Sequence, residues 1–122
     1  MNETRAGIDA GASLWKLAFL VGAREEPELA ALPAGDVEAV RRQLAAWRPG
    51  AVLVTGGGAA RLISALAEEP GQPGPAQVSE FAAWPAGAPL LAARAGWTLP
   101  ARYHLVSLGT GTSILEDRKS VV

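Results

Sequence analysis

The run Ala51-Val52-Leu53-Val54-Thr55, followed at once by Gly56-Gly57-Gly58, restricts the fold more than any other stretch. Apolar residues in an unbroken row, entered from Pro49-Gly50 and left through glycine, read as a central strand covered on both faces. Such a strand needs helices packed against it, so the class is α/β. The three glycines lead into a helix carrying Leu62, Ile63 and Leu66.

The flanking sequence fills in the layer. Residues 6–10 and 14–21 read as strands forming a hairpin across Gly11-Ala12-Ser13, and residues 28–32 as a weaker third strand. Asp36 is an N-cap, and Val37, Val40, Leu44 and Trp47 recur on one helical face until Pro49-Gly50 stops the helix. Residues 70–75 are a Pro/Gly-rich loop. A short strand is expected over 77–81, with Glu80 at its end, and a helix over about 86–95, because Pro85, Gly87 and Pro89 disturb any earlier start. Residues 103–108 read as a strand, and another begins at Ser113 after a Gly-Thr turn. The order β-β-β-α-β-α-β-α-β-turn-β predicts a mixed five-stranded sheet flanked by helices over residues 1–100, with 101–122 opening a second, similar domain.

Composition excludes several classes. With 122 residues, 49% apolar and 19% charged, the chain can bury a core. A net charge of −1 gives no electrostatic footprint for nucleic acid. The sequence has no cysteine, hence no disulfide framework and no thiolate metal site. No apolar run approaches the roughly 18 residues that span a bilayer, and Met1-Asn2-Glu3-Thr4-Arg5 lacks a signal-peptide pattern. The expectation is a cytoplasmic protein without membrane or nucleic-acid partners. Trp15, Trp47, Trp84 and Trp97 read as core or core-edge residues.

Two small-residue segments, Gly7-Ile8-Asp9-Ala10-Gly11-Ala12-Ser13-Leu14-Trp15-Lys16 and Leu108-Gly109-Thr110-Gly111-Thr112-Ser113, carry the candidate chemistry. Glycine turns leave backbone N–H groups free to meet an anion, and two of them can grip a polyphosphate from both sides. Asp9, ending a buried strand beside such a turn, suits a magnesium ion held through water next to phosphate oxygens, or a hydrogen bond to the turn backbone. Lys16 is placed to neutralise a phosphate, or to face solvent from its strand. Gly56 and Gly57 either offer anion-binding donors before a helix or simply make a tight turn. Glu80 either accepts a proton from an attacking hydroxyl or is a surface charge. Lone His104 has no second histidine with which to build a metal site. The Walker A and dinucleotide fingerprints are both absent.

Taken in order, the first segment, Val54-Thr55-Gly56-Gly57-Gly58-Ala59, Glu80-Phe81-Ala82-Ala83 and Val106-Ser107-Leu108-Gly109-Thr110-Gly111-Thr112-Ser113-Ile114 resemble type II pantothenate kinase, within the actin-like ATPase and sugar kinase superfamily. The resemblance implies a ribonuclease H-like (actin-like ATPase) fold and transfer of phosphate from MgATP to the terminal hydroxyl of pantothenate, the first step toward coenzyme A. It implies Asp9 as the Mg²⁺ and phosphate carboxylate. Gly11, Ser13 and Lys16 fall in the first phosphate loop, and Gly109, Thr110, Gly111 and Thr112 in the second. Glu80 becomes the catalytic base, with Gly56 and Gly57 on the substrate side. Departures are Gly11-Ala12-Ser13 where the family usually reads Gly-Gly-Thr, and Ala82 where an acidic residue is common.

The family's adenosine pocket, its arginine- and glycine-rich segment and its dimer helices come after the second phosphate turn. The chain therefore reads as an N-terminal portion, inactive alone, of a protein expected to be a homodimer. The alternatives are a sugar kinase of the same superfamily acting on an N-acetylglucosamine-type substrate, against which Glu80-Phe81 argues because an Asp is usual there, and a non-catalytic actin-like nucleotide-binding regulator.

Overall fold

The hairpin expected at the start of the chain is present and organises everything that follows. The computed structural model describes residues 3–22, 26–67, 74–108 and 112–118. Strand β1 (Thr4–Ala10) pairs antiparallel with β2 (Leu14–Val21), which pairs antiparallel with β3 (Glu28–Pro33). Helix α1 (Val37–Trp47) carries the chain across, so that β4 (Ala51–Thr55) lies parallel to β1 on its other side. Helix α2 (Ala59–Leu66) makes a second crossover, to the short parallel strand β5 (Ala76–Gln77). The sheet order is β3-β2-β1-β4-β5, the mixed five-stranded sheet that the sequence predicts.

Helix α1 starts where Asp36 caps it, the carboxylate accepting from the Ala39 N–H at 3.0 Å. It ends at Arg48, in left-handed backbone (φ 53°), whose N–H reaches Leu44 O at 2.7 Å. Val40 and Leu44 of α1 and Leu62 and Leu66 of α2 pack on Ala6, Ile8, Ala10, Trp15, Leu17, Val52 and Val54. This is one face of the sheet. Arg41 joins the two helices at their outer side, pairing with Glu38 and donating to Ala65 O at 3.0 Å. Phe19 stacks on Trp47 with ring centroids 5.2 Å apart.

Three expectations are corrected. Strand β4 is not covered evenly on both faces: Val52 and Val54 are buried, while Leu53, on the face away from α1 and α2, is 47% exposed. Its unbroken apolar run overstates its burial. The helix expected from about residue 86 starts at Glu80, as α3 (Glu80–Arg94), with Pro85 and Pro89 inside it, so Glu80 heads a helix and does not end a strand. Alanines around the prolines keep helix propensity high, and Glu80 in the first turn and Arg94 in the last match the helix dipole. Trp97, read as core or core edge, is 72% exposed.

The chain divides into two compact units, Met1–Ser79 and Glu80–Val122. The second comprises α3 and an antiparallel pair, β6 (Arg102–Leu108) with β7 (Thr112–Arg118), in register from Arg102 opposite Arg118 to Leu108 opposite Thr112. Within α3, Phe81 and Trp84 meet edge to face at 5.6 Å. No helix among the described residues is long and apolar enough to cross a membrane.

Candidate functional site

In an open α/β sheet the ligand crevice lies beyond the carboxyl ends of the parallel strands. Here those ends are Asp9-Ala10 of β1 and Val54-Thr55 of β4, and each runs directly into glycine.

The first turn is held by its own tryptophan. Trp15 is buried, and its Nε1 donates to Gly11 O at 3.1 Å. A Cβ on Gly11 would stand 3.3 Å from Leu14 O, tighter than a side chain ordinarily sits. Ser13 is exposed, and its carbonyl accepts from the Ala34 N–H at 3.4 Å, tying this turn to the loop before α1. The second turn packs on the first through main-chain atoms. The Gly58 N–H donates to Ala10 O at 2.9 Å. Gly56 adopts φ +98°, and a Cβ there would lie 2.6 Å from Ala10 O and 3.0 Å from Asp9 Oδ1. Gly56 is therefore demanded twice, by its backbone conformation and by close approach. Gly57 is exposed, with nothing within 4 Å of a Cβ built on it.

The strand register sets the side chains around this seam. Thr55, Asp9 and Lys16 stand in one row across β4, β1 and β2, on the face opposite Ile8 and Ala10. Asp9 is half-buried and Lys16 exposed. The two are cross-strand neighbours, yet no ion pair within 4.0 Å joins them, and the Asp9 carboxylate has no hydrogen-bond partner among the described residues. On the helix-bearing side, a depression of about 480 Å³ opens between the two turns, lined by Gly11, Ala12, Trp15, Gly58, Arg61 and Leu62. Arg61 is exposed at its wall.

The structure thus brings Asp9, Gly11, Ser13, Lys16, Gly56 and Gly57 to one end of one sheet. Glu80 is half-buried at the head of α3, in the second unit, two residues after Val78, whose N–H donates to Val54 O at 2.9 Å. Gly109, Thr110 and Gly111 lie outside the described residues, while Thr112 begins β7 opposite Leu108. Sequence reasoning missed Thr55 and Arg61 as neighbours of the turns. The signals were a hydroxyl closing an otherwise apolar strand and a cation in the first turn of the helix after the glycines.

A magnesium ion is a fair fit to this donor set. No group of three or more His, Cys, Asp or Glu side chains clusters among the described residues, so there is no all-protein cage. Mg²⁺ rarely uses one: it is usually held by one or two carboxylates, waters and substrate phosphates. A carboxylate without a partner, set against a glycine whose Cβ would crowd it, meets that requirement.

No protein-family model matches the chain, and no curated protein does. Solved structures match its fold. The Aquifex aeolicus PPX-GPPA enzyme aligns with a TM-score of 0.56 at 11% identity, over 94% of this chain and 48% of its own. The type II variant crystal structure of the Aquifex aeolicus Ppx/GppA phosphatase aligns with a TM-score of 0.52 at 11% identity, over 94% and 52%. The fold is ribonuclease H-like, of the actin-like ATPase kind. The chain spans about half the length of these structures. At this identity the likeness carries the fold and leaves the substrate open.

Proposed function

We propose that this chain supplies the phosphate- and metal-binding half of an ATP-dependent kinase of the actin-like class, and that its acceptor is the terminal hydroxyl of pantothenate. The observation carrying the phosphate reading is the unpartnered Asp9 carboxylate at the seam of two glycine turns, in a row with Lys16. The acceptor rests on the order of the four motifs and on Glu80-Phe81.

In this reading the Gly11–Ser13 turn and Gly109–Thr112 hold the polyphosphate through backbone donors and hydroxyls, and Lys16 offsets its charge. Asp9 would hold a magnesium ion, which would supply charge neutralisation at the phosphate oxygens. Gly56 and Gly57 face the substrate. Glu80 accepts the proton of the pantothenate hydroxyl as that oxygen attacks the terminal phosphorus and the bond to the leaving diphosphate breaks. The full-length protein is proposed to be a cytoplasmic homodimer.

The likeness to a Ppx/GppA phosphatase favours a second reading, in which water replaces the alcohol and a phosphoanhydride is hydrolysed. One experiment separates them. The full-length protein carrying this chain is incubated with MgATP, with and without pantothenate, and separately with inorganic polyphosphate. ADP and phosphopantothenate formed only when pantothenate is present, and lost in Glu80→Ala, is the expected result. Acceptor-independent phosphate release from polyphosphate would overturn the kinase in favour of hydrolysis. Turnover with N-acetylglucosamine would move the function to a sugar kinase.

A further inference from the structure

Thr55 ends β4 level with Asp9 on β1 and on the same face of the sheet. Its Oγ1 is closed off from solvent and has no hydrogen-bond partner among the described residues. Buried hydroxyls in folded proteins are nearly always paired, so this one calls for a reason. Strand formation does not supply it. Valine has the same branched shape and stands at positions 52 and 54 of the same strand. The turn does not supply it either, because Gly56 O and the Gly58 N–H are satisfied by the main chain of Ala59 and Ala10. The neighbour across the ladder is Asp9, whose carboxylate also lacks a partner among the described residues. Adjacent strands run about 4.8 Å apart, a span that one small bridging species fills.

We propose that Thr55 is a positioning residue of the phosphate site. Its hydroxyl and the Asp9 carboxylate accept the two protons of a single metal-held water, fixing the direction in which Asp9 presents itself. Because Oγ1 is closed off from solvent as the side chain stands, Thr55 must change χ1 rotamer to turn its hydroxyl toward that water. The inference rests on the phosphate and metal reading of Asp9 and adds a residue to it.

The test uses the full-length protein, Mn²⁺ with inorganic triphosphate as the probe, and calorimetry with melting curves as the readouts. Thr55→Val removes the hydroxyl and keeps the shape; Thr55→Ser keeps the hydroxyl. Thr55→Val is expected to weaken binding of the Mn²⁺–triphosphate pair about tenfold and to shrink the ligand-induced rise in Tm, while the ligand-free Tm stays level or increases. Thr55→Ser is expected to bind within about twofold of the unaltered protein, since its donor and acceptor are intact. Undiminished binding by Thr55→Val, when Asp9→Asn abolishes it, would overturn this inference and leave the Asp9 reading standing. A lower ligand-free Tm in Thr55→Val with no rescue of binding by serine would reduce Thr55 to a packing residue. Absence of binding by the unaltered protein would overturn the Asp9 reading and this inference together.

Discussion

Gly56 and Gly57 are neighbours with opposite constraints. At Gly56 any side chain meets the Ala10 carbonyl at 2.6 Å and must adopt φ +98°. Gly56→Ala is therefore expected to cost about 2 kcal/mol or more in a denaturant titration. Gly57→Ala meets nothing within 4 Å and should leave stability within about 0.5 kcal/mol. If Gly57→Ala lowers activity at unchanged stability, its backbone faces ligand; unchanged activity would remove Gly57 from the proposed site. Asp9 calls for a different experiment. Its side chain loses no described partner on becoming Asn, so Asp9→Asn should keep the Tm of the unaltered protein. Under the proposed function it should lower kcat about 10²- to 10³-fold. A large drop in Tm would instead make Asp9 a structural residue.

At the scale of elements, α1 is the simplest to test. Its cap is one side chain with one bond, so Asp36→Ala should cost about 1 kcal/mol, read from the shift in denaturation midpoint at constant slope. This helix was legible in the sequence because cap, apolar spacing and stop agree. The β1–β2 hairpin and the mixed sheet were legible for the same reason, since short turns favour antiparallel neighbours and a helical crossover favours parallel ones, while the pairing of β4 with β1 comes from the structure. Helix α3 was legible only in part: Pro85 and Pro89 argue locally against a helix that alanine-rich surroundings and charged ends support over its whole length. The burial of β4 was misread because an apolar run reports what a strand tolerates on each face and says nothing of whether a partner lies there. At the site, Asp9 and its glycines were visible as a motif. Thr55 was hidden, because only register places it beside Asp9.

For the molecule as a whole, the sheet's two faces differ. One carries α1 and α2; the other presents Leu14, Leu29 and Leu53, exposed by 48, 68 and 47%. Leu29→Ser should change stability by no more than about 0.5 kcal/mol in chemical denaturation, since little apolar area is lost from the core. A larger loss would show that Leu29 is covered in solution. The contact between Gly58 and Ala10 has a consequence of another kind. The amide proton of Gly58 belongs to no strand ladder, and its acceptor is the carbonyl of Ala10 at the end of β1, far away in sequence. Its exchange with deuterated solvent is therefore a clock for the meeting of the second glycine turn with the end of β1. Slow exchange that tracks global unfolding would mean that the proposed anion cradle is built into the folded ground state, and faster exchange would mean that this contact forms and breaks while the rest of the sheet stays intact.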